Sequence, residues 1–66
     1  MDEKYGTILM WDEMEENGEI QTEDGDLYQF DLSSTNLECS PETLEEDLEV
    51  VILVNEDDEV DTLSVA

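Results

Sequence analysis

The sequence predicts a small all-β domain, a five-stranded antiparallel barrel. Three observations lead there. Apolar residues come in short β-favouring runs, clearest in Thr7-Ile8-Leu9-Met10-Trp11 and Val50-Val51-Ile52-Leu53-Val54. Turn signals, Asn17-Gly18 and Asp24-Gly25-Asp26 among them, separate the runs at short intervals. The chain is 66 residues long, enough for one domain over residues 1–66 with a marginal core.

Taken in order, residues 1–5 are a short polar lead. Thr7 to Trp11 is the first strand, and it stops at the acidic stretch from Asp12 to Gly18. Asn17-Gly18 is a strong turn dipeptide because both residues tolerate positive φ. Glu19-Ile20-Gln21-Thr22 reads as the second strand, with Ile20 for the core. Asp24-Gly25-Asp26 turns the chain into Leu27-Tyr28-Gln29-Phe30, the third. Residues 32–40 lose periodicity and form a loop. Ser40 then caps a helical turn, with Pro41 where its missing N–H costs nothing and Glu42 near the positive end of the dipole. Leu44 is the apolar residue of that short turn, which ends by Asp47. Val50 to Val54 is the strongest strand. Five apolar residues in a row imply burial on both sides, or an outer face that is also apolar. Glu56-Asp57-Asp58-Glu59 is a turn crowded with carboxylates, and Val60 to Val65 is a weak last strand. Five strands with this spacing suggest an OB-like barrel.

Charge restricts function more firmly than pattern does. Twenty-two carboxylates face one lysine, Lys4, with no histidine, for a formal net charge of −21. Such a polyanion is repelled by nucleic acid and by anionic lipid. Nucleic-acid affinity rests largely on Lys and Arg displacing counterions from phosphates, which one lysine cannot supply. The favoured partners are cationic, above all basic protein surfaces. Catalysis is not expected, because histidine is absent and no nucleophile has an activating neighbour. Acidic pairs are unavoidable at this density and carry no information. No cofactor is implied. No metal site is expected either: Asp24-Gly25-Asp26 lacks the later ligands of a calcium loop, and Glu56 to Glu59 with Asp61 would attract divalent ions only loosely. The lone Cys39 cannot form an internal disulfide. No signal peptide and no membrane span are read, so a cytoplasmic location is the default expectation. The end of the chain directly after its last strand also fits an N-terminal module of a longer protein.

The residues resemble a family. Gly6-Thr7-Ile8-Leu9-Met10-Trp11-Asp12, then two residues, then Glu15-Glu16-Asn17-Gly18-Glu19-Ile20, follow the opening G-x-V-K-W-F-N-x-x-K-G-F-G-F-I of cold-shock domains without a gap. Asp24-Gly25-Asp26-Leu27-Tyr28-Gln29-Phe30 resembles the family's D-G-x-D-V-F-V-H region. Thr43-Leu44-Glu45-Glu46-Asp47-Leu48-Glu49-Val50 resembles T-L-E-E-G-Q-x-V, and Thr62-Leu63-Ser64-Val65 sits where A-x-N-V ends the barrel. The resemblance implies the OB-like fold and single-strand nucleic-acid binding. The binding residues do not carry over. Leu9 and Met10 stand in the places of a lysine and a tryptophan. Glu15, Asn17 and Glu19 replace the lysine and phenylalanines of K-G-F-G-F. Tyr28 keeps a ring in a phenylalanine place, Phe30 holds the histidine place, and Asp31 replaces a further phenylalanine. Single-strand binding needs stacking rings and a positive groove together.

The candidate protein-binding surface is therefore an acidic face of Glu15, Glu16, Glu19, Asp24, Asp26 and Asp31. One reading is nucleic-acid mimicry, with carboxylates standing in for phosphates before a basic groove. One strand face alone is too sparse, with alternate residues ~6.8 Å apart against ~3.4 Å per phosphate. A patch across several strands does better. The competing reading is a solvated, solubilising surface. Met10, Tyr28 and Phe30 form a residual apolar face, of a composition found in interface cores. Trp11 and Phe30 also read as barrel core. A basic protein heads the expected interactions, a nucleic-acid-binding protein being one candidate. The alternative is a divergent single-strand binder with weak affinity through Tyr28 and Phe30.

Overall fold

In the computed structural model, which describes residues 1–66, Asp2–Asp12 form one long strand, β1. The polar lead is thus strand rather than a free end. Its backbone is paired: Asp2 to Thr7 lie opposite Val54 to Glu49 of β5 (Glu49–Val54). The other half of β1, from Gly6 to Asp12, pairs with β2 (Asn17–Thr22). Each partner takes one edge of the strand, and a bulge at Leu9 shifts the register with β2 between Ile8 and Met10.

β2 pairs with β3 (Leu27–Asp31), and β5 with β6 (Val60–Val65), all antiparallel. The 32–40 segment contains one further strand, β4 (Asn36–Leu37), which lies parallel to β6. The sheet therefore has six strands rather than five, in the order β3-β2-β1-β5-β6-β4. A two-residue strand has no sequence signature of its own. The sheet curls through 214° into an open half-barrel, an OB-like small barrel overall.

Turn chemistry departs from expectation at one place. Asn17-Gly18 lies inside β2, opposite Asp12 and Trp11. The turn is made just before it. The Asp12 carboxylate accepts from the backbone N–H of Met14 and Glu15, and Glu16 takes the positive φ of 56°. The Asp24-Gly25-Asp26 turn forms where it was read, with Gly25 at φ 90°. The helical start at Ser40 is a single 3-10 turn, Pro41–Thr43, and the Ser40 side chain accepts from the Glu42 N–H. It seats Leu44 in the core.

The core is formed by Ile8, Ile20, Phe30, Leu44, Val50, Ile52, Val54, Val60 and Leu63. β5 shows how its apolar run is used. Val50, Ile52 and Val54 point in, while Val51 and Leu53 are half-buried on the outer face. Trp11, Tyr28, Leu32, Leu37, Cys39 and Leu48 pack around the edge of the core.

Candidate functional site

The pairing of β2 with β3 decides which side chains face out. Residues directly opposite one another share a face. Ile20 lies opposite Tyr28, and Gly18 opposite Phe30, so Tyr28 and Phe30 turn towards the core. Phe30 is 3% exposed, and its ring stacks on Trp11 with centroids 5.7 Å apart and planes 1° from parallel. Phe30 is therefore core, not part of an exposed apolar face. Tyr28 is half-buried against the same core. The outer face carries Met10, Glu19, Gln29, Leu27 and Asp31. No aromatic ring stands among them. Leu27, 59% exposed, joins Met10, 50% exposed, as the apolar part of that face. A one-residue phase difference in β3 exchanges the whole set.

Because the sheet does not close, a gap remains where β3 approaches β6. Thr35 pins one end of it. The Thr35 N–H donates to the Asp31 carbonyl of β3 (2.8 Å), and its hydroxyl donates to the Val60 carbonyl of β6 (2.8 Å). A cleft of about 620 Å³ lies along the gap. Met10, Leu27 and Tyr28 supply its apolar surface, with the buried Phe30 and Val60 behind them, and Glu19, Asp31, Asp58, Glu59 and Asp61 its carboxylates. The size falls in the range of small-ligand sites, roughly 300–1,000 Å³. Asn55 builds the far wall. Its side-chain oxygen accepts from the N–H groups of Asp57 and Glu59, and Asp58 adopts φ 61° in the same turn. On the near wall, the Ser33 N–H donates to the Asp31 carboxylate (2.9 Å). With the Ser33 hydroxyl, it holds the Asp31 carboxyl below its usual range.

The only cationic side chain is not free. Lys4 Nζ lies 3.4 Å from Asp24 and 4.0 Å from Asp26, across from β1 to the β2–β3 turn. Its hydrogen bond to Asp24, then the charge of Asp24, raises the Lys4 pKa. The Asp24 carboxyl is held below its ordinary value of 3.8, chiefly by the Thr22 hydroxyl, then by the backbone and by Lys4. A depressed folded-state pKa contributes stability above the unfolded value and loses it as pH falls through the folded one. Asp24→Asn is expected to lower the melting temperature at neutral pH and to have no effect in strong acid. Thermal melts of both chains from pH 7 downwards check this; a difference independent of pH would exclude the linkage.

The six carboxylates expected on one acidic face are divided. Glu15 and Glu16 sit in the β1–β2 turn, and Asp24 and Asp26 in the β2–β3 turn. These turns flank β2, a strand about 20 Å long at ~3.3 Å per residue. Only Glu19 and Asp31 line the cleft. The structure adds Asp58, Glu59 and Asp61 to them. Those three stand in the crowded acidic turn and just after it, and nothing in their order along the chain links them to β3.

The cleft offers acceptors for cations beside apolar surface for aliphatic stems, and it contains no activated nucleophile. No group of three or more His, Cys, Asp or Glu side chains is disposed to hold a metal ion. No helix is long and apolar enough to cross a membrane. Burial pushes the Cys39 thiol pKa up, so that it stays protonated and weakly nucleophilic. No family model, curated protein or solved structure matches the chain.

Proposed function

We propose that this chain is a divergent cold-shock-like domain that has exchanged nucleic acid for a basic protein surface. It acts as a non-catalytic, acidic interaction module, in the manner of a nucleic-acid mimic. The observation that carries this is the cleft itself: five carboxylates around a small apolar floor, on a chain whose single cation is tied to Asp24 elsewhere. Lysine and arginine fit such a site in both their parts. Their heads meet carboxylates, and their stems lie on Met10 and Leu27. The order of the family motifs along the chain and the OB-like barrel support the family reading. The loss of lysines and outward rings speaks for the change of ligand.

Electrostatic steering makes association fast and salt-sensitive. The triple variant Glu19→Lys, Asp31→Lys, Asp61→Lys is expected to slow association with a basic DNA-binding protein by about tenfold or more and to flatten its salt dependence. A control variant, Glu42→Lys, Glu45→Lys, Glu46→Lys, changes net charge equally on exposed residues outside the cleft. Stopped-flow association at ~50 and ~200 mM salt reads both. Equal slowing by the two variants would assign the attraction to overall charge and remove the cleft as the site. Binding to single-stranded DNA, with none to any basic protein of a panel, would overturn the proposal altogether.

A further inference from the structure

One wall of the cleft is an unpaired strand edge. β3 ends the sheet and bonds to β2 alone. The hydrogen bonds Thr22 N–H to Asp26 and Leu32 N–H to Glu16 flank the β2–β3 ladder and set its phase. In an antiparallel pair, alternate residues direct both backbone groups at the partner and the others direct both away. Tyr28 and Phe30 therefore bond to β2. Leu27, Gln29 and Asp31 present their backbone to the cleft. The Asp31 carbonyl is taken by Ser34 and Thr35. Both groups of Leu27 and Gln29, and the N–H of Asp31, remain without a partner along the gap.

Edge strands are usually blunted by lysine, proline, a bulge or extreme shortness. β3 has none of these: it reads Leu27-Tyr28-Gln29-Phe30-Asp31, in unbroken register with β2. What guards it is charge. A second copy of this chain, at −21, is repelled from an edge flanked by Glu19, Asp31, Asp58, Glu59 and Asp61. The same charges favour a cationic strand.

We infer that the free edge of β3 accepts an extended, lysine- or arginine-rich segment of the partner protein as an added strand along the open side of the cleft. Backbone bonds to Leu27, Gln29 and Asp31 give the segment its register. Side chains alternate along it. One set meets Glu19 and Asp31 on the outer face, and the other turns over Tyr28. The inference rests on the acidic cleft being the binding site, and adds how the partner is held.

The test uses the whole chain with an acetylated, amidated Lys-Thr-Lys-Thr-Lys-Thr peptide. A second peptide of the same sequence has every backbone nitrogen methylated, so that charge is kept and donors are lost. Calorimetric titration is expected to show the methylated peptide binding about tenfold more weakly or worse, the loss of one to three backbone bonds. Amide exchange at Leu27, Gln29 and Asp31 is expected to slow when the unmodified peptide binds. Equal affinity for the two peptides, or unchanged exchange at those amides, overturns strand addition and leaves the acidic cleft standing. Binding of a folded basic protein but of neither peptide does the same. If neither the peptides nor the basic protein bind, both readings fall together.

Discussion

Ile52→Ala is expected to cost about 2–5 kcal/mol, a large part of the stability of so small a domain. Ile52 is 0% exposed at the centre of the sheet, opposite Lys4 of β1 and Leu63 of β6. Its loss leaves a hole among Ile8, Ile20, Val50 and Leu63, all themselves fully buried. Residues on two neighbouring strands would have to move together to fill it. At roughly 0.05–0.15 kcal/mol per residue, a domain of this size has only about 3–10 kcal/mol in reserve. The mutual repulsion of the carboxylates reduces that further. Urea denaturation followed by circular dichroism measures the effect. A midpoint lowered by less than about 0.5 M would mean that Ile52 is not in a close-packed interior.

Gly18→Ala, a single added methyl group, is expected to have an effect of comparable size. A Cβ on Gly18 would stand 2.4 Å from the Met10 carbonyl oxygen and 2.9 Å from two atoms of the Phe30 ring. The first contact is with backbone and cannot be relieved by a rotamer. β1 must move from β2, or Phe30 must leave its place. Overpacking of this kind costs about 1–3 kcal/mol or more. It also has a direct optical signature. Trp11, Gly18 and Phe30 lie in one row across three strands, and the stacked rings meet over the glycine. A displaced Phe30 leaves Trp11, the only tryptophan, more exposed, and its emission shifts to the red. Unchanged emission together with unchanged stability would show that the rings do not depend on the glycine.

The barrel was legible because its signals are local. Val50 to Val54, Ile20, the Gly25 turn and the Ser40 cap each act through neighbouring residues, and each is found where it was read. The extension of β1 to Asp2 was not, since charged residues become strand there only through pairing with β5. The candidate site was less legible still. Matching the Asp24-Gly25-Asp26 turn to a family motif places Tyr28 and Phe30 outside, while the ladder with β2 places them inside. The segment Leu27-Tyr28-Gln29-Phe30 alternates acceptably in either phase, and only burial against Trp11 and Ile20 decides between them. Likewise, Asp58, Glu59 and Asp61 reach Glu19 and Asp31 because the sheet curls, a long-range property of all its strands.

The double allegiance of β1 governs time as well as space. Its first partner, β2, follows it almost at once, and β3 soon after, so the meander can form early in synthesis. The meander alone contributes only Ile8, Ile20 and Phe30 to the interior. Asp2 to Tyr5 must wait for β5, and the other six interior residues arrive with or shortly before it and with β6. Until then the nascent hairpins carry an apolar side with nothing to cover it, the state in which chains most often associate wrongly. Like charge on every copy holds such half-made chains apart while the second half is being added.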